Sequence, residues 1–106
     1  MSDDESVDQD QVDLQEAVLG YNILVDGEYV GGLEAVPGRL EHIEVAPHME
    51  GQGVGRAAFR AFIELSKEHD ERRVVTNNAV NPKMEHILES EGFEENPEGI
   101  GWVKEV

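Results

Sequence analysis

Apolar and polar positions change their spacing several times along this chain, and each change marks an expected element. Residues 17–25 are rich in β-forming side chains, and Asp26-Gly27 supplies the turn chemistry that sends a second strand back from Tyr29 to Ala35. Pro37-Gly38 marks the next turn. Residues 39–45 read as a third strand, whose alternation puts Glu41, Ile43 and Val45 on one face and His42 and Glu44 on the other. From Val54 to about His69, apolar groups at Val54, Ala57, Ala58, Ala61, Phe62 and Leu65 follow the three-and-four spacing of a helix with one buried stripe. Arg60, Glu64, Lys67 and Glu68 take its other side. Residues 73–76 form a short buried strand. Asn81-Pro82 opens a second helix, with proline in the first turn, where its missing N–H costs nothing. Met84, Ile87 and Leu88 give that helix its apolar stripe before Gly92 stops it. Phe93 and residues 100–106 supply a closing pair of strands around Pro97-Glu98-Gly99.

This order, three strands, helix, strand, helix and closing strands, predicts an α+β domain: a mixed, mostly antiparallel sheet with two main helices packed on it. Its β-α-β step is expected to be a right-handed parallel crossover. At 106 residues the chain holds one such core. Residues 1–16 differ in composition, with seven acids and only Val7, Val12 and Leu14 as sizeable apolar groups, so they are expected to form an acidic, disordered tail ahead of a folded domain at 17–106.

The 24 acidic residues against 8 basic ones leave a formal charge of -16, which repels phosphate backbones and argues against a nucleic-acid partner. Acids dispersed this widely fit a surface adapted to high salt, as in halophilic proteins, better than one built to attract amines. The absence of cysteine excludes disulfides, thiolate metal sites and a cysteine nucleophile, and no metal site is expected. No run approaches the ~18 apolar residues of a membrane span, and the N-terminus lacks a signal-peptide layout, so the expected location is cytoplasmic, away from membranes.

The segment from Val45 to Ala57 carries the chemistry. Gly51, Gly53 and Gly55 lie between a strand end and a helix start, where unpaired N–H groups and the helix dipole favour an anion and where side chains would block a phosphate's approach. A Walker loop is excluded because Arg56-Ala57 follows Gly55, and a dinucleotide fingerprint because Arg56 stands where its third glycine belongs. A merely tight strand-to-helix connection would account for one or two of these glycines rather than three at alternate positions.

The segment resembles motif A of the Gcn5-related N-acetyltransferases (GNAT): Gln or Arg, two residues, Gly, any residue, then Gly or Ala, after a strand ending in Val-x-Pro. Residues 50–55 match at both glycines and depart at the first position, where Glu50 stands in place of a basic or amide group. Asn81, eleven residues before Gly92-Phe93, resembles the family's Asn…Gly-Phe pattern. The resemblance covers residues 18–106. It implies an N-acetyltransferase moving acetyl from acetyl-coenzyme A to a small-molecule or peptide amine by direct attack. The main-chain amides of Gly51, Gln52, Gly53, Val54, Gly55 and Arg56 would hold the diphosphate, the main chain near Val45 would pair with the pantetheine amides, and Asn81 would contact the arm. Many relatives carry a tyrosine where this chain has Leu88. His86 is nearby, and its bland reading is a solvent-facing side chain. The family often keeps its base on the strand entering the loop, which makes Glu41, His42 and Glu44 the catalytic candidates. His42-x-Glu44 also resembles a zinc-deaminase signature, which the absent cysteines remove. Relatives usually wall the acceptor site with elements ahead of the first hairpin. Here that side is expected to be open or completed by a second subunit, with exposed sheet edges favouring a homodimer. The alternative is a module that binds coenzyme A or a protein without turnover.

Overall fold

The computed structural model describes residues 7–76, 82–97 and 101–106; the side chains of residues 82–84 are not among them. Four strands joined by tight turns form an antiparallel meander: β1 (Val12–Ala17), β2 (Gly20–Val25), β3 (Glu28–Val36) and β4 (Arg39–Val45). Helix α1 (Val54–Glu68) then crosses to β5 (Arg73–Thr76), which lies parallel to β4. Helix α2 (Pro82–Ser90) leads into β6 (Glu94–Glu95) and β7 (Trp102–Glu105), antiparallel to each other, with β7 also antiparallel to β5. Among the described residues the sheet runs β1-β2-β3-β4-β5-β7-β6, with a single parallel pair within seven otherwise antiparallel strands, the mixed α+β architecture expected from the element order.

The N-terminal segment differs from the expected tail. Residues 9–11 form a 3-10 turn in which the Asp8 N–H donates to the Gln11 side chain at 2.9 Å, and β1 then pairs along its whole length with β2. Val12 is buried, while Val7 and Leu14 pack against the core. The physical reason is periodicity. Val12 and Leu14 sit two apart with Asp13 between them, which is the pattern of a half-buried strand, and an edge strand needs only a few apolar anchors when its main chain is paired. High charge thus does not keep this stretch in solvent. Residues 1–6 lie outside the described residues.

Helix α1 buries Val54, Ala57, Ala58, Phe59, Phe62, Ile63 and Ser66. The expected stripe is shifted by one residue. Phe59 and Ile63 occupy its centre, and Ala61 and Leu65 lie at its rim. The fully buried Phe59 ring stacks on Phe93 at 5.1 Å between centroids. Ser66, also fully buried, accepts a hydrogen bond from the Gly38 N–H at 2.9 Å and so fastens the β3–β4 turn to the helix. Gly92, at φ 90°, ends α2 as expected: the Phe93 N–H bonds the Leu88 carbonyl at 2.9 Å and the Gly92 N–H bonds Glu89 at 3.1 Å, with Leu88 and Phe93 both buried. The turn expected around Pro97-Glu98-Gly99, the Met84 side chain and Asn81 lie outside the described residues.

Candidate functional site

The strand-to-helix connection begins where Ala46 donates its N–H to the Val30 carbonyl at 2.7 Å, just past the end of β4. A 3-10 turn over Pro47–Met49 follows, and then Gly51 and Gly53 adopt left-handed backbone, at φ 83° and 81°. Residues with side chains pay for that conformation, so two of the three glycines are explained by backbone geometry. Gly53 is the N-cap of α1. It offers no side chain to cap the helix, and its carbonyl already accepts from the Ala57 N–H at 3.0 Å. The amides of the first helical residues, Val54, Gly55 and Arg56, have no acceptor within the helix. The third glycine, Gly55, has ordinary helical backbone; a Cβ added there, or at Gly51, would meet no atom within 4 Å. Both positions face open space that a ligand's phosphates would need.

That space belongs to a cleft of about 520 Å³. Of the residues expected to bind coenzyme, Val45, Gly51, Gly53, Val54, Gly55 and Arg56 line it. Gln52 does not: its carbonyl accepts the Val7 N–H at 2.8 Å and its side-chain amide reaches the His48 carbonyl at 3.4 Å, so it braces the loop from behind. Sequence reasoning missed Ile43 and Met49, which add an apolar wall, and Ile87 of α2, which faces them. His86 is exposed, as expected, yet it lines the cleft as well. Bare amides, absent Cβ atoms and an apolar wall fit a ligand with a phosphate head and an acyl-bearing arm.

The three base candidates are placed elsewhere. Ala35 pairs with Leu40 and Glu34 with His42, which leaves Glu41 as an extra residue, a β-bulge. The bulge resets the alternation. Leu40, Ile43 and Val45 all pack toward the core, and Glu41 does not share the Ile43 and Val45 face as simple alternation predicts. Its carboxylate instead bonds the Arg39 guanidinium at 2.7 Å, on the side opposite Leu40. His42 and Glu44 are exposed and line a separate, shallow hollow with Asn22, Gly32 and Glu34. None of the three lines the cleft. Leu88 is fully buried, so the position at which many relatives carry a phenol is part of the core here.

Charge near the cleft is mixed. Glu50 lies on its rim. Arg56 contacts the Glu91 carboxylate at 3.5 Å, and Arg60 bonds the same carboxylate at 2.9 Å, a contact that raises the Arg60 pKa and keeps it protonated. Among the described residues no group of His, Asp or Glu is arranged to hold a metal ion, and no helix is long and apolar enough to cross a membrane.

A seven-stranded sheet with one parallel pair, β4 and β5, and a glycine-rich turn feeding the crossover helix between them is an acetyltransferase-type fold. The chain belongs to the acetyltransferase (GNAT) family, whose family model matches residues 2–93. Among solved structures it is similar to one described as a probable acetyltransferase, at 31% identity and a TM-score of 0.58 over 72% of this chain and 48% of that one. It also shares its fold with aminoglycoside acetyltransferase AAC(6')-Ib in complex with coenzyme A, at 21% identity and a TM-score of 0.62 over 80% of this chain and 64% of that one. A tandem GNAT protein from the clavulanic acid biosynthesis pathway matches at 21% identity and a TM-score of 0.57, over 73% of this chain and 28% of its own. The chain therefore spans about half the length of the first of these proteins and under a third of the last. No curated protein matches it.

Proposed function

We propose that the protein transfers the acetyl group of acetyl-coenzyme A to a primary amine. The observation that carries this reading is the turn at residues 51–56: left-handed glycines, an N-cap without a side chain, and open space where Cβ atoms would stand, all facing one cleft. In this reading the amides around Gly53 to Arg56 hold the diphosphate. Ile43, Val45 and Ile87 flank the pantetheine arm, and Asn81 contacts it. The neutral amine attacks the thioester carbonyl. A C–N bond forms, the C–S bond breaks, the amine gives up a proton and the departing thiolate takes one. Glu41, His42 and Glu44 remain the base candidates, and their place outside the cleft means that a proton would reach them through water. His86, an imidazole on the cleft itself, is the group best placed to return a proton to sulfur. A second copy of the chain, paired along an exposed sheet edge, would complete the acceptor side.

A second reading, a coenzyme-binding module without turnover, is favoured by the complete burial of Leu88, which leaves no phenol on α2, and by Glu50 on the cleft rim. Calorimetric titration with acetyl-coenzyme A, followed by thiol release across a panel of amines, separates the two. Binding with thiol release supports the enzyme; binding with no release for any amine supports the module; no binding overturns both.

A further inference from the structure

Residues ahead of β1 reach back to the glycine turn. Gln11 is tied twice to the β2–β3 turn: its carbonyl accepts the Asp26 N–H at 3.1 Å, and its side-chain amide donates to the Asp26 carboxylate at 3.0 Å. From that anchor the 3-10 turn at residues 9–11 packs on α1, and Val7, half-buried against the core, donates its N–H to the Gln52 carbonyl at 2.8 Å. Residues 7–11 thus form a strap fixed at both ends, and one of those ends is the glycine turn itself.

The bond lands between two left-handed residues, Gly51 and Gly53. A peptide unit is planar and trans, so its C=O and N–H point in opposite directions. With the Gln52 carbonyl drawn back to Val7, the N–H of the same unit, which belongs to Gly53, points forward. Gly53 lines the cleft and Gln52 does not, and among the described residues the Gly53 N–H has no partner. Without the strap this peptide is free to turn over, because Gly53 has no Cβ to oppose the rotation and the ladder of α1 begins at the Gly53 carbonyl, one residue later. Turned over, it would offer a carbonyl oxygen to an anion where a donor is needed.

We propose that the strap holds the Gly53 N–H toward the ligand, which makes Val7, through its main chain, a positioning residue for the diphosphate of the acyl donor. The inference rests on the coenzyme reading above and adds to it a part that lies outside the glycine segment. Every residue except proline carries the N–H that this role needs, so the sequence at position 7 bears no motif for it.

The test follows acetyl-coenzyme A binding by calorimetry and the amide resonances of the full chain labelled with 15N-glycine. Val7→Pro deletes the donor and should weaken binding roughly tenfold, the scale of one hydrogen bond to a charged group. At saturation the Gly53 amide should lose the downfield shift that it shows in wild type, while that of Gly55 stays. Val7→Ala keeps the N–H and should bind within about twofold of wild type. Gln9→Pro is the control for proline itself: it falls on the first residue of the 3-10 turn, after an extended Asp8, and should leave the affinity unchanged. A further readout needs no variant. By reciprocity, saturating acetyl-coenzyme A should slow hydrogen exchange at the Val7 amide of the wild type about tenfold, and leave the Asp26 amide at the strap's other end as it was. Wild-type affinity in Val7→Pro, equal losses in Val7→Ala and Val7→Pro, loss of the Gly53 and Gly55 shifts together, or an unchanged Val7 exchange rate each overturns the strap and leaves the coenzyme reading standing. Failure of the wild type to bind overturns both.

Discussion

Replacing Gly55 with aspartate sets stability and ligand binding against each other, which makes it the sharpest test of the glycine turn. Gly55 is the second helical residue of α1, with ordinary helical backbone and no atom within 4 Å of an added Cβ. Folding should therefore benefit. Removing a helical glycine contributes about 0.5–1 kcal/mol, and an acid in the first turn adds roughly 0.3–1 kcal/mol through the helix dipole. Against these stands one more negative charge on a chain already at -16, so a net gain of about 1 kcal/mol is expected, raising Tm by roughly 4–8 °C for a domain of this size. Binding should move the other way. A carboxylate ~5 Å from a diphosphate of two charges, at an effective dielectric of ~40, costs about 3 kcal/mol, on the order of a hundredfold in Kd. Thermal melts and acetyl-coenzyme A calorimetry read the two quantities, and Gly55→Ala separates the methyl from the charge: it should keep the stability gain and lose far less affinity. An affinity unchanged by aspartate would refute the turn as a phosphate site. A loss of affinity that tracks a loss of stability would show the glycine to be structural.

Three further outcomes test the packing. Phe59→Ala removes a fully buried ring stacked on Phe93 and should cost about 3–5 kcal/mol in urea unfolding. Ser66→Ala strands the Gly38 N–H beneath α1, with an expected cost of about 1–3 kcal/mol and a β3–β4 turn that exchanges its amides faster. Burial, reinforced by the negative charge of Glu16, pushes the Tyr21 phenol above its ordinary value near 10. The folded protein thus keeps a proton that the unfolded chain releases, so stability holds below pH ~10, falls as pH rises above it, and falls less steeply in Tyr21→Phe.

Much of the fold is legible where periodicity and punctuation agree. The expected helix from Val54 to about His69 is observed as Val54–Glu68, the strand at 73–76 is unchanged, and Gly92 stops α2 because a left-handed residue is required there. The cleft lining is legible for the same reason, since glycine reports on backbone and needs no partner to be interpreted. Where composition and periodicity disagree, periodicity prevails. Seven acids in sixteen residues suggest a tail, yet the spacing of Val12 and Leu14 is that of a strand. The Arg56, Arg60 and Glu91 cluster has no local signal, because 31 residues separate Arg60 from its partner and only the packing of α1 against the end of α2 joins them.

The bulge in β4 is the instructive case, because the sequence does contain its signature. Leu40, Ile43 and Val45 are the apolar residues of that strand, and in a regular strand Leu40 would face away from the other two. A strand flanked on both sides by paired neighbours cannot turn a leucine out and still bury Ile43 and Val45, unless one extra residue is inserted between them. The insertion has to fall at Glu41 or His42, both polar and both able to stand on the solvent side, and the register places it at Glu41. Counted from the buried Leu40, this single residue sends Ile43 and Val45 into the cleft as an apolar wall and turns His42 and Glu44 out of it. Apolar residues spaced three and then two apart within one strand are thus a readable sign of a bulge, and the face of any acid or base beyond such a break has to be counted from the break and not from the start of the strand.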